Sequence, residues 1–185
     1  MSDVMRILSD ITVNEAVARD ISAGLNEEQL NWQQVSGRSW SILQCLDHMA
    51  LTNLKYTAAM QRAVDVAPRP QRPWTGSIAS SLIGRRFIKG IEPPVRVVKL
   101  KAPPTIEPPV RRTAGEVFSL LIESHEAIRE VIKSSAGLNL NAVEFRNPFV
   151  PLLRPSLGTG LLLLTAHERR HLWQAENVRR AVLAA

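Results

Sequence analysis

The C-terminal stretch of the chain reads SLGTGLLLLTAHERRHLWQAENVRRAVL (residues 156–183). Its apolar residues recur at helical spacing, which predicts one long α-helix over this stretch. His167 and His171 are four residues apart, so they project from the same face of that helix about one turn apart. The other residues on this face are small or apolar: Leu157, Gly160, Leu164, Ala175 and Val178. Both imidazoles are therefore expected to point into the protein interior.

A third histidine lies on another predicted helix. Residues 39–48 read SWSILQCLDH, and either Ser39 or Ser41 is a suitable N-cap for a helix that ends near residue 64. If His48 from this helix meets the histidine pair of the last helix, the three imidazoles form a site for a divalent metal. Three protein ligands leave coordination positions open for water or substrate, as in catalytic zinc sites. Thr52 lies one turn after His48 on the same side and is a candidate ligand-binding residue.

Two further helices complete the pattern. Apolar spacing predicts a first helix over residues 3–23, which Gly24 ends. Thr113 and Glu116 form a capping box at the start of another helix, over residues 113–135. Four long helices with little strand signal predict an all-α fold, namely a four-helix bundle in a single domain of residues 1–185.

A Pro-rich insertion, residues 66–112, separates the second and third of these long helices. It holds nine of the twelve prolines, which excludes long regular helix across most of it. Residues 78–88 are an exception and could form a short amphipathic segment. The rest is expected to be an extended loop. This loop either lies over the domain as a lid or binding wall, or is a flexible insertion at the surface. Residues 139–155 are interpreted as a second loop with a short strand and an exposed pair, Phe145 and Phe149.

Composition narrows the function classes. The single cysteine, Cys45, excludes an internal disulfide, and the N-terminus lacks the pattern of a secretory signal, so a cytoplasmic location is expected. The longest apolar run, Leu161–Leu164, is far too short to span a membrane. The net charge of +6 comes from dispersed basic groups without a nucleic-acid recognition module. We therefore expect no nucleic acid or membrane partner. The basic residues are expected either to be solvated or to attract an acidic small molecule.

Residues 167–171 also match His-Glu-x-x-His, the pattern of zincin proteases, in which the glutamate is the general base. The extended form of that pattern requires a glycine at 174 and a histidine at 177, where Gln174 and Asn177 stand. A protease is therefore the less favoured interpretation. Glu168 remains the candidate catalytic base. The alternatives are that it contacts a group bound to the metal without binding the metal itself, or that it forms an ion pair with a neighbouring arginine.

Three neighbouring side chains have ordinary interpretations. Cys45, three residues before His48, is a small buried filler rather than an extra ligand or reactive thiol. Asp47 is expected to point away from His48 into solvent. His125 has no partner at helical spacing and is interpreted as a surface or boundary histidine.

Three short stretches together resemble the DinB/YfiT-like family of small metal-binding four-helix bundles. They are Ser-Trp-Ser-Ile at 39–42, Leu-Asp-His-Met at 46–49, and His-x-x-x-His-Leu-x-Gln at 167–174. The order of features matches along nearly the whole chain, although residues 68–112 are longer and more irregular than expected for the family.

The resemblance implies that His48, His167 and His171 bind a divalent metal, most often zinc or nickel. It also implies a metal-dependent hydrolase or a thiol S-transferase that acts on a small molecule, including low-molecular-weight thiols, and homodimers are frequent. Trp40 would then be a packing residue, and Gln174 a candidate for orienting a ligand.

The expected mechanism is activation of a metal-bound water or thiolate as the nucleophile. The alternative from another class is a non-catalytic metal- or ligand-binding bundle, because analogy of fold is weak support for chemistry.

Overall fold

A computed structural model describes residues 2–34, 39–69, 74, 76–94 and 102–184. Within these ranges the chain forms six α-helices and no β-strand, so the predicted all-α class is confirmed. The helices are α1 (Asp3–Ser22), α2 (Glu27–Leu30), α3 (Ile42–Val66), α4 (Leu82–Ile91), α5 (Ala114–Ser134) and α6 (Leu157–Leu183). A single turn of 3-10 helix, Pro104–Ile106, precedes α5.

Side-chain caps determine where the long helices begin. Ser41, rather than Ser39, caps α3 by accepting a hydrogen bond from the backbone of Gln44. The predicted capping box of Thr113 and Glu116 is present at the start of α5. Ser156 caps α6 through the backbone N–H of Thr159. Each cap satisfies N–H groups that the first helical turn would otherwise leave unpaired.

The four long helices pack against one another. α3 lies against α5 and α6, while α1 lies against α6 and α5. Buried apolar side chains form two clusters. One cluster includes Ile11, Met60, Ile128 and Leu164, and the other includes Ala18, Leu46, Leu121 and Leu172. No helix in the described ranges combines the length and apolarity that a membrane crossing requires.

The connections differ from expectation in two places. The short amphipathic helix begins at Leu82 instead of 78, and its Leu82, Ile83 and Phe87 are exposed. In the loop before α6, only an isolated bridge between Glu144 and Ser156 replaces the predicted short strand. The tight turn that Gly37 predicts and residues 70–73, 75 and 95–101 of the Pro-rich segment lie outside the described residues.

Phe145 contradicts its predicted exposure. Its side chain is only 2% exposed and meets the ring of Tyr56 edge-on, with the centroids 5.9 Å apart. A Cβ at Gly160 would come within 2.6 Å of the Phe145 ring. The missing side chain of Gly160 therefore creates the space that the aromatic ring fills, and Phe149 is half-buried beside it.

Candidate metal centre

Three histidines from two helices meet in the interior. His48 comes from α3, and His167 and His171 come from successive turns of α6. One potential ligand atom from each residue lies within 4.8 Å of the other two. The ring centroids are 5.1 Å apart for His48 and His167, 4.6 Å for His48 and His171, and 4.5 Å for His167 and His171. The spatial convergence of these side chains, which we call the histidine triad, agrees with the arrangement expected from the sequence.

The spacing of the nitrogens suits a metal ion. The Nε2 atoms of His48 and His167 are 3.3 Å apart. Two nitrogens that are each about 2.0–2.1 Å from a tetrahedral zinc lie about 3.3–3.4 Å from one another. The donor set, three imidazole nitrogens, is also one that zinc, nickel and copper accept. The histidine triad therefore fits a divalent transition metal without rearrangement of α3 against α6.

A backbone carbonyl orients the first histidine. The Nδ1 atom of His48 lies 2.8 Å from the carbonyl oxygen of Ile106. A carbonyl only accepts hydrogen bonds, so Nδ1 carries the proton and Nε2 presents its lone pair to the centre of the triad. Metal-binding histidines usually donate their second nitrogen in this way. The sequence offers no signal for this contact, since any residue type can supply a carbonyl.

Burial keeps the triad uncharged. Desolvation lowers the pKa of His48, and it lowers the pKa of His167 to about 3. The pKa of His171 is lowered well below its usual value by the same cause and by the two other imidazoles. Arg170 adds a further lowering influence on each ring. Neutral imidazoles have the free lone pair that a metal ligand needs.

Trp40 covers one side of the triad. Its ring centroid lies 4.6 Å from that of His48 and 5.6 Å from that of His171. The tryptophan is half-buried, so it shields the two imidazoles while keeping part of its surface in solvent. Trp40 therefore packs against the rings of His48 and His171, which agrees with the packing role that the resemblance implies.

Several buried polar atoms near the triad have no hydrogen-bond partner within the described part of the chain. They are Oγ1 of Thr52 and the Nδ1 atoms of His167 and His171. Gln174 is near enough to oppose the lowering of the His171 pKa, although Nδ1 of His171 has no partner at hydrogen-bond distance. Unsatisfied buried polar groups cost free energy. Such groups around three neutral imidazoles suit a site that takes up a polar ligand or a metal.

The end of the Pro-rich segment is fastened to α3 beside the triad. Gln44 donates from Nε2 to the carbonyl of Pro109 at 3.2 Å, and Arg112 pairs with Asp47 at 2.7 Å. Together with the contact between His48 and Ile106, these bonds hold residues 106–112 along one face of α3. Asp47 is thus buried and ion-paired, whereas the sequence had suggested a solvated side chain.

Glu168 lies in a different polar cluster from the triad. Its carboxylate accepts hydrogen bonds from Asn14 of α1 at 2.7 Å, from Asn53 of α3 at 2.6 Å and from His125 of α5 at 3.0 Å. Each of the four long helices contributes one residue, and we call this group the polar layer. His125 is fully buried, so its expected place at the surface is wrong. The donors around the Glu168 carboxylate satisfy its hydrogen-bonding needs within the helix packing. Its predicted role as catalytic base stays a prediction.

Cys45 is a buried apolar filler next to the site. The residue is fully buried in the apolar cluster around Leu46, and desolvation raises the pKa of its thiol far above the usual range. A thiol held in this state is a poor nucleophile and a poor metal ligand. This placement agrees with the small filler expected from the sequence.

Comparison with known proteins agrees with this geometry. The family model of the DinB superfamily matches residues 11–175. This range includes all three histidines of the triad and all four members of the polar layer. No curated protein and no solved structure matches the chain significantly. Since the match extends over most of the sequence and includes every residue of the histidine site, the chain belongs to the DinB superfamily.

Proposed function

We propose that the protein binds a divalent metal, zinc or nickel, at His48, His167 and His171 and uses it on a small molecule. The proposed reaction is hydrolysis or the transfer of a low-molecular-weight thiol. One observation carries the proposal: three neutral imidazoles from two helices converge on one point, and a backbone carbonyl orients one of them. Membership of the DinB superfamily supports it.

In the proposed reaction, the metal activates the nucleophile, and side chains of the protein shield the site and orient the ligand. A divalent cation held by three imidazoles supplies a Lewis acid that lowers the pKa of a bound water or thiol. Trp40 shields His48 and His171 from solvent. Thr52 and Gln174 are proposed to orient the ligand, because the Thr52 hydroxyl has no partner in the described protein and Gln174 lies beside His171.

The architecture proposed for this function is a four-helix bundle of α1, α3, α5 and α6 in one domain. Residues 66–112 form an insertion whose last part is a wall of the site, which the contacts of Ile106, Pro109 and Arg112 with α3 support. A homodimer and a cytoplasmic location belong to the same proposal.

Metal content tests the proposal directly. Purified protein should contain about one divalent ion per chain by elemental analysis, and His48→Ala and His171→Ala should each lose it. His125→Gln is the matched control, since it removes a histidine of the polar layer outside the triad. Circular dichroism checks that each variant is folded. Equal metal content in the protein and in both triad variants contradicts the proposed site.

Turnover separates the enzyme from the non-catalytic alternative. Metal-loaded and metal-free protein are compared on a panel of esters, amides and thiol plus electrophile pairs. Metal-dependent turnover of one class supports the enzyme and identifies its reaction. Metal binding without turnover of any member of the panel favours a protein that binds metal or ligand only.

A further inference from the structure

Two adjacent arginines on α6 have opposite environments. Arg169 forms ion pairs with Asp10 at 3.0 Å and with Glu92. Arg170 is half-buried and has no hydrogen bond or ion pair anywhere in the described residues. No guanidinium nitrogen of Arg170 is among the buried polar atoms without a partner, so the charge is accessible from solvent. The group is therefore open to a ligand that supplies a counter-charge.

The position of Arg170 places its charge beside the triad. On α6 it comes three residues after His167 and immediately before His171, so all three side chains leave adjacent turns of one helix. Residues three apart are neighbours on a helix surface, so Arg170 lies next to His167, and both residues are half-buried. The unpaired cation and the histidine triad therefore form one cluster.

The acidic side chains near the cluster are already engaged. Asp47 pairs with Arg112 through Oδ1, although its Oδ2 has no hydrogen-bond partner, and Glu168 is bonded to the polar layer. An imidazole carries no negative charge in either its neutral or its protonated state, so the triad does not offset a divalent cation or Arg170. The described protein thus leaves an excess of positive charge at this point, which an anionic ligand would balance.

We propose that Arg170 binds the carboxylate of the small-molecule substrate while the reacting group of the substrate lies at the histidine triad. This inference rests on the proposed function and specifies its substrate class. Guanidinium groups bind carboxylates through two parallel N–H···O bonds. The unpartnered hydroxyl of Thr52, on the same face of α3 as His48, is a further donor for such a ligand.

A matched pair of ligands tests the inference. Benzoate and benzamide have the same shape, but only benzoate carries a negative charge. Each is titrated into metal-loaded and metal-free protein, with calorimetry and the NMR signal of the Arg170 Nε–H group as readouts. Benzoate should bind at least about tenfold more tightly than benzamide and should shift the Arg170 signal, because charge-assisted hydrogen bonds are the stronger kind.

Variants identify the cation that is responsible. Arg170→Gln should weaken benzoate binding by about 10- to 100-fold, and Arg170→Lys should restore part of it as a point charge. Arg180→Gln is the control, because it removes the same charge from an exposed arginine of the same helix, and it should bind benzoate like the unmodified protein. Thermal unfolding checks that all three variants are folded.

The outcomes distinguish this inference from the proposed function. If Arg170→Gln binds benzoate as well as the unmodified protein, or if the unmodified protein binds no benzoate, the inference is overturned whether or not the protein retains metal. Binding of inorganic phosphate with the same dependence on Arg170, and no binding of benzoate, overturns the carboxylate assignment. Absence of metal contradicts the proposed function, while the metal-free titrations still decide the role of Arg170.

Discussion

Glu168 shows how far adjacent residues of one helix can differ in role. It follows His167 directly, yet its carboxylate is fully buried among Asn14, Asn53 and His125. His125 in turn lies 3.6 Å from a carboxylate oxygen of the partly exposed Glu15. A buried carboxylate is tolerated only where donors replace its lost water. These contacts support a role for Glu168 in joining four helices.

Removing the charge of Glu168 tests this role. Glu168→Gln replaces one of the two accepting carboxylate oxygens with an N–H₂ group, which cannot accept the hydrogen bonds that Asn14, Asn53 or His125 donate. The free energy of unfolding should therefore fall by about 2–3 kcal/mol. Urea denaturation of the metal-free protein measures it. Glu176→Gln removes a carboxylate from a partly exposed position of the same helix, where it pairs only with the exposed Arg180. This change should alter stability by less than about 0.5 kcal/mol. A fully stable Glu168→Gln variant that has lost turnover would instead support the catalytic base.

At the scale of elements, α3 carries both His48, a proposed metal ligand, and the side chains that anchor the segment orienting it. Gln44, Asp47 and His48 are spaced so that they share one face of the helix, and each contacts the stretch 106–112. The proline-rich sequence of this stretch prevents helix but leaves its carbonyls free to accept. The segment thereby orients His48 from outside the histidine triad, through the carbonyl of Ile106. It does so although it is distant in sequence from α6.

Loosening this segment should weaken the metal site without touching a ligand. Arg112→Gln breaks the ion pair with Asp47, which should free the Ile106 carbonyl from His48. Loss of such outer hydrogen bonds typically lowers metal affinity by about 10- to 100-fold. Competition with a chromophoric zinc chelator measures the dissociation constant. Arg111→Gln removes the same charge at the exposed neighbouring position and should leave the affinity unchanged, and equal affinities of the two variants would contradict the support.

At the scale of the whole molecule, polar residues divide the interior into two apolar clusters. Along α1, α3, α5 and α6, the polar layer falls between residues of one cluster and residues of the other. Three helices donate hydrogen bonds to the one carboxylate of Glu168. The polar layer therefore favours one register of the four helices, because sliding any helix by a turn would break its bond to this carboxylate. The triad joins α3 to α6 beside this layer, so metal binding and packing involve the same helices.

Metal should therefore stabilise the whole fold. The triad exists only when α3 and α6 are packed, so zinc binds the folded state preferentially. At a free concentration of about 100 times the dissociation constant, the gain is about 2.7 kcal/mol. For a chain of this size the Tm should rise by about 5–10 °C. Calorimetry with zinc and after removal of zinc by a chelator measures the shift, and a similar rise in His48→Ala would show that zinc acts elsewhere.

Local patterns in the sequence determined the helices and the candidate ligands. Apolar spacing located α1, α3, α5 and α6, and capping residues located the starts of α3 and α5. Helical periodicity placed His167 and His171 on one face of α6 and His48 on another helix. These features depend on neighbours within a few residues, which a sequence displays directly. The same reasoning placed His125 and Asp47 at the surface, because their partners, Glu168 and Arg112, are distant in the chain.

Tertiary structure alone decided which groups meet across helices. The carbonyl of Ile106 has no residue-type signature, yet it orients His48. Arg169 and Arg170 are identical in type, yet Asp10 and Glu92 form ion pairs with Arg169, whereas Arg170 has no ion pair within the described part of the chain. Hydrogen bonds and charge pairing depend on distances between segments that only the packing of the chain establishes.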